Sequence, residues 1–374
     1  MKNHPTAWHK TLSGLLALLF VVGVQFVSAA PGGIGGTGSP QGGIGGTGIV
    51  GIGFIQGFGS IFVNGTEYQL GPQTQYLIDG TAANAPQLHT GDGVLVAARI
   101  IDGKPYAQRV EIEHAVIGIV DQMDTRTLSL SVLGQSIVLA EGGQVQSAQG
   151  RLEQFTDLHP GDVVSVSAFA IGNKRWVAYG VRQLITHEDN RANQPVAVLL
   201  RGSVEHIDTA QQTALISGIA MKLPADTLSE LHIGTSIRLT GTQSDGQVRF
   251  TQAQPIVALS ELATASQISA VGLVSADGLQ LSTPIGTISL SSALLQMPAQ
   301  TVLIQATPAS ASLLGVHDVR GQINPMTVNM PMPVNVRTPS IQTPSIQVPA
   351  IQAPSIPVPS VQIPAIQTPI MPRM

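Results

Sequence analysis

From residue 49 to about residue 322, apolar and polar positions alternate in short runs punctuated by glycine, aspartate and asparagine. Runs such as 94–101, 163–168 and 236–240 are rich in β-branched residues and bounded by turn formers, the pattern of half-buried strands. No part of this zone sustains a 3.6-residue apolar period over several turns, although 227–231 and 260–265 leave room for a helical turn or two. Segments 60–63 and 66–69 flank Asn64-Gly65, the pair preferred in a type I′ hairpin turn. That register sets Ile61 opposite Tyr68 and Val63 opposite Thr66. The pattern predicts an all-β chain.

The strands recur in a frame. Leu88-His89-Thr90-Gly91-Asp92 returns as Leu158-His159-Pro160-Gly161-Asp162 and again as Leu231-His232-Ile233-Gly234-Thr235. An apolar strand follows each copy, and a turn pair begins 13 positions after each His: Asp102-Gly103, Gly172-Asn173 and Asp245-Gly246. Two independent markers that keep one offset three times define a repeated module. The glycine two positions after each His lets the chain turn into the strand. A degenerate fourth copy follows, in which Asp277-Gly278 joins two apolar runs and Leu295-Gln296-Met297-Pro298 has lost both His and Gly.

These features resemble the exported bacterial family known as domain of unknown function 5666. The residues that carry the resemblance are Gly-Gly-Ile-Gly-Gly-Thr-Gly at 32–38, Gly57-Phe58-Gly59-Ser60-Ile61-Phe62-Val63-Asn64-Gly65, and Leu-x-x-Gly-Asp-x-Val at 88–94 and 158–164. The resemblance implies a small barrel-like β module, similar in outline to an oligonucleotide/oligosaccharide-binding (OB) barrel. The family has no assigned activity, so the resemblance assigns no functional residues. The expected fold class is all-β, with tandem small OB-like β-barrel modules between disordered Gly-rich N-terminal and Pro-rich C-terminal segments. The expected division is a signal peptide at 1–29, a Gly-rich linker at 30–48, module one at 49–115 and module two at 116–186. A linker at 187–196, module three at 197–262, the degenerate module four at 263–322 and a Pro-rich pentapeptide-repeat tail at 323–374 complete it.

The two ends set the expected location. Lys2 and Lys10, an apolar run at 15–24 and the small residues Val27-Ser28-Ala29 form a secretory signal, with cleavage after Ala29. The run is short of the ~20 residues of a spanning helix, so no stable transmembrane segment is expected after cleavage. The chain has no cysteine, which removes disulfides and thiolate chemistry and leaves stability to apolar burial. Loss of the two signal lysines takes the formal charge from −4 to −6, and only 11% of residues are charged, without basic clusters. Phosphate neutralisation needs such clusters, so nucleic acid is not an expected partner. In the tail, proline recurs every fifth residue from Pro339 to Pro369, which forbids helix and favours an extended spacer or docking segment.

Candidate chemistry is sparse. Gly33-Ile34-Gly35-Gly36-Thr37-Gly38 satisfies a dinucleotide-binding spacing, but neither the preceding strand nor the following helix is present. His89, His159 and His232 occupy equivalent module positions. They read as turn residues, and speculatively as histidines that line up along a stacked array to hold a metal or sense pH. His187-Glu188-Asp189 reads as a solvated linker. No Gly-x-Ser-x-Gly elbow or Ser-x-x-Lys occurs, so no catalytic residue, cofactor or metal ligand is assigned. Six of the eleven aromatic residues beyond the signal fall in module one. Phe58, Phe62 and Tyr68 form a speculative ligand surface there, against the alternative of core filling. The expected function is an exported, non-enzymatic envelope protein, periplasmic or at the cell surface. It would bind an envelope or extracellular protein or polysaccharide, or serve structurally. The alternative is a small-ligand or glycan-binding array with its site in module one.

Overall fold

The computed structural model describes residues 48–84, 88–172, 174–190, 194–244, 246–256, 262–295, 297, 300–310 and 313–327. The expected signal peptide, almost all of the glycine-rich segment, the proline ladder and the turn residues Asn173 and Asp245 lie outside them.

Each module follows one five-strand route: a long first strand, a hairpin, a turn, and a second hairpin. Module one comprises β1 (Gly48–Phe58), β2 (Ile61–Val63), β3 (Thr66–Tyr68), β4 (Gln75–Ile78), β5 (Thr81–Ala83), β6 (Gly93–Ile101) and β7 (Lys104–Ile112). Module two comprises β8 (Val116–Asp124), β9 (Ser129–Val132), β10 (Gln135–Gln146), β11 (Leu152–Glu153), β12 (Val163–Ala170) and β13 (Arg175–Ile185). Module three has β14 (Val196–Asp208), β15 (Thr213–Ile216), β16 (Ile219–Lys222), helix α1 (Ala225–Glu230), β17 (Ser236–Ser244) and β18 (Gln247–Pro255). Module four has β19 (Gln267–Val274), β20 (Gln280–Thr283), β21 (Gly286–Leu290), β22 (Thr301–Ser310) and β23 (Leu313–Arg320).

In module two the strands pair in the order first, second, third, fifth, fourth and back to first. Only the third-to-fifth ladder is parallel, with Ile137 beside Trp176. Module four repeats this closed order. Module one follows the same route with its third strand broken between β3 and β4. It meets β7 through the Gln69–Tyr106 bridge and then the β4–β7 ladder. The expectation of small OB-like barrels therefore holds, and the supposedly degenerate module four is a complete barrel. Module three, which keeps the His and Gly, shows no β16–β18 pairing among the described residues. Its β18 is mostly exposed, while Leu228 of α1 and Leu231 fill the core.

The repeated turn explains how the fourth strand of a module comes to lie beside the first. A bulge bends the first strands of modules one, two and three, between Ile55 and Gly57, Val120 and Gln122, and Val204 and His206. Such a bulge lets one strand pair on both sides of a barrel corner. At each bend the motif turn docks by two backbone bonds. Gly91, Gly161 and Gly234 donate to Ile55, Val120 and Val204, which donate back to the carbonyls of Asp92, Asp162 and Thr235. The three glycines have φ of +88°, +96° and +86°, the region L side chains avoid. In the first two copies the Asp carboxylate also accepts the His backbone N–H at 2.8 Å, a local turn bond available to Asp but not to an apolar residue. The Asn64-Gly65 hairpin forms in the expected register, Ile61 against Tyr68.

The modules do not run as a simple stack in which each meets only its sequence neighbours. The start of β1 pairs in parallel with β19, Ile49 beside Gln267, so the first and fourth modules share one sheet. β8 and β14 join the second and third modules in another. Phe54 of module one packs against Phe169 and Tyr179 of module two, with ring centroids 5.1 and 4.9 Å away, and Val271 of module four joins the cluster. Edge-to-face and tilted pairs at these separations are favourable beyond their area.

A Cβ on Gly91 would lie 2.8 Å from the Tyr179 carbonyl of module two, whereas one on Gly234 would meet nothing within 4 Å. Gly234→Ala is therefore expected to cost about 1 kcal/mol for the positive φ alone. Gly91→Ala should cost about 2–4 kcal/mol, with overpacking at the seam added. Urea denaturation of both variants measures the difference, and equal losses would show that the seam between modules one and two carries no packing constraint.

Candidate functional site

Modules two, three and four meet around a cleft of about 890 Å³, within the ordinary size range of small-ligand sites. Its inner end is organised by Arg201 of β14, only 3% exposed. The guanidinium donates to the Ala168 carbonyl of module two at 2.7 Å and to the Pro284 carbonyl of module four. Its carbon stands 5.4 Å from the centre of the Trp176 ring, a cation–π geometry. Trp176 in turn donates from Nε1 to Gln135 Oε1 at 3.1 Å. Burial lowers the Arg201 pKa to about 10, so the group remains charged at neutral pH.

The walls carry hydroxyls that knit the seams. Ser282 of module four accepts the Ala170 N–H at 3.0 Å, and Ser236 of module three accepts the Thr287 N–H at 3.1 Å. Ser217 accepts the Ser203 N–H at 3.1 Å. Each of these hydroxyls also carries a proton that it can donate. Lys174 and Arg175 stand exposed at the mouth, with Glu205 at the bulge of β14. Three cations against one carboxylate make this lining positive in a chain whose formal charge is −4.

The structure separates the residues singled out from the sequence. Phe58 is 51% exposed and Phe62 half-buried, but Tyr68 is 1% exposed and belongs to the core of module one, so the three do not form one surface. The Tyr68 hydroxyl lies where a Cβ on Gly51 would be. His89, His159 and His232 occupy three environments and do not converge. His89 presents Nδ1 to the Arg182 guanidinium of module two, and His232 is exposed. His159 packs against His187, with ring centroids 4.7 Å apart and the rings tilted by 41°, beside the buried Asp162. His187, read from the sequence as a linker residue, is thus fixed in a polar group. Its backbone N–H and Nδ1 lie 2.6 and 3.0 Å from Asp162 Oδ1. Asp162 would be pushed up by burial, but the bonds from His159, Gln183 and His187 hold its carboxyl below the ordinary range.

A second polar group lies at the junction of modules one, two and three. Glu113 and Arg238, both buried, form an ion pair, and His114 Nδ1 lies 2.8 Å from Asp79 Oδ2. Glu113 Oε2 and His114 Nε2 are buried without a hydrogen-bond partner among the described residues. Burial pushes Glu113 up to about 7 against the pull of Arg238, with Asp79 and Glu111 adding to the rise. Burial alone would lower His114 and raise Asp79. Their mutual charge and hydrogen bonds overcome it, so His114 sits above its ordinary value and Asp79 below.

The signs give a pH profile. Glu113 binds its proton more tightly in the folded chain, so stability falls as pH rises from about 4.5 to about 7. The raised His114 contributes stability below its unfolded value near 6.5 that is lost as pH rises through its folded value. The depressed Asp79 contributes stability above its unfolded value near 3.8 that is lost as pH falls through its folded value. Urea midpoints are therefore expected to decline from about pH 5 to neutrality, and Glu113→Gln should flatten that decline. A midpoint that climbs over this interval, or a slope untouched by the substitution, contradicts the assignment.

No curated protein matches the chain. Residues 52–111 and 117–182, which span the bent first strands and motif turns of modules one and two, each match the model of a domain of unknown function, DUF5666.

Proposed function

We propose that this chain is an exported, non-enzymatic binding protein of the cell envelope that holds a small anionic, polyhydroxylated ligand, such as an acidic sugar, in the cleft among modules two, three and four. The observation that carries the binding site is the cationic, hydroxyl-lined cleft itself, with Lys174 and Arg175 at its mouth. Cations focused in a concave site on an otherwise acidic protein attract anions, and serine hydroxyls pair with sugar hydroxyls. Export rests on the signal pattern of the first 29 residues. The non-catalytic reading rests on the sequence, which offers no nucleophile elbow or paired catalytic motif. A site in module one has weaker support, because Tyr68 is committed to the core.

An array carrying uronate-containing and neutral oligosaccharides tests this reading. Acidic glycans should be retained, and the double variant Lys174→Glu, Arg175→Glu should weaken retention on the order of tenfold, as expected for charge reversal beside an anion. Both side chains are exposed, so the variant should keep its fold. Equal retention of neutral glycans, or binding indifferent to the reversal, would remove the cleft from the function.

A further inference from the structure

We infer that His159 and His187 form a binding site for one transition-metal ion of the zinc or copper class, on the outer end of module two and independent of the cleft. The two residues are 28 positions apart in sequence, and one buried carboxylate fixes both. Asp162 Oδ2 accepts the His159 backbone N–H at 2.8 Å, and Oδ1 accepts the His187 backbone N–H at 2.6 Å. Gln183 Nε2 adds a third bond to the carboxylate at 2.8 Å, and Asn190 Nδ2 ties the His187 loop to the Gly161 carbonyl at 2.8 Å. Both backbones are therefore set before any ion arrives, while both imidazoles remain exposed.

The Asp162–His187 contact also selects a tautomer. With Nδ1–H donated to Oδ1 across 3.0 Å, the lone pair of His187 lies on Nε2. Carboxylate-oriented histidines of this kind are the usual outer partners of a metal site. Ligand atoms of His159, Asp162 and His187 all lie within 4.8 Å of one another. Metal–nitrogen bonds of about 2.0–2.1 Å need the two imidazole nitrogens somewhat closer, which rotation of the exposed His159 side chain supplies. Asp162 already accepts four hydrogen bonds, so it acts as the orienting residue, and water completes the coordination. Imidazole nitrogen suits zinc and copper in preference to magnesium or calcium.

The other motif copies lack the arrangement. In copy one, the Arg182 guanidinium takes up Nδ1 of His89, and no second histidine stands beside it in a possible ligand group among the described residues. Copy three has Thr235 in place of the orienting aspartate, and among the described residues no second histidine joins His232 in a possible ligand group.

Calorimetric titration of the full chain with zinc sulfate near neutral pH tests the inference. One ion per chain is expected. His159→Ala and His187→Ala should each weaken binding at least about tenfold, and His232→Ala should leave it unchanged. The His159 side chain makes no bond to Asp162, so His159→Ala should keep the parent urea midpoint, whereas His187→Ala also loses the Nδ1 bond to the buried carboxylate and should lower it. Copper-loaded samples should show two nitrogen ligands by electron paramagnetic resonance in the parent and one in each variant. No saturable binding, or binding that survives both substitutions, overturns the site and leaves the pair as a packed surface contact.

Discussion

The two backbone hydrogen bonds between the bend of each first strand and the motif turn are the constraint on which the remaining structure depends. A strand that bulges at Ile55, Val120 or Val204 leaves an N–H and a carbonyl that its ladder no longer satisfies. Buried backbone groups of that kind must find partners. The Gly and Asp or Thr of the turn supply both. Turning the chain there also delivers the fourth strand beside the first, as when β12 leaves Asp162 and pairs with β8. One local solution therefore fixes the bend, the turn and the strand order together. Module four keeps half of it, with Val274 donating to the Gln300 carbonyl, and still closes. Module three keeps all of it and does not. The turn sets the first-to-fourth pairing, and closure depends separately on whether the third and fifth strands meet.

That distinction marks how far the sequence could be read. Turn pairs, alternation and the 13-residue offset are local, because each arises from residues a few positions apart and from conformations that only certain residue types adopt. The return of β19 to β1 is not local. Ile49-Val50-Gly51-Ile52 has no feature that distinguishes a strand seeking a partner over 200 residues away from an ordinary edge strand. Tyr68 illustrates the same limit, since an aromatic residue on a short hairpin looks alike whether it faces a ligand or the core. His187 was hidden for a different reason: polarity alone suggested solvent, whereas its partner lay one buried carboxylate away. Arg201 interrupts an apolar run and Glu113-His114 sits between apolar strands; charged residues in such settings mark buried polar contacts.

Those buried charges lie at the seams and not inside individual barrels. Each barrel core is apolar, built from residues such as Val116, Val166 and Ile137. Arg201 crosses from module three to carbonyls of modules two and four, and Arg238 reaches Glu113 at the junction of modules one and two. Such groups add little net stability over an apolar packing of equal volume. What they do impose is register. A guanidinium that must meet two carbonyls from separate modules tolerates few relative placements of those modules, whereas apolar faces tolerate several.

The cleft inherits its properties from this arrangement. No single barrel encloses it. Gln135 and Trp176 come from one module, Ser203 and Ser236 from a second, and Ser282 and Thr287 from a third. A ligand that touches all three walls binds the assembled modules and not the separated ones, so its binding free energy adds to the stability of the assembly. Conversely, any change that loosens the seams acts on the cleft without touching its lining. The small-barrel repeat thus supplies rigid walls, while the contacts between repeats supply the chemistry.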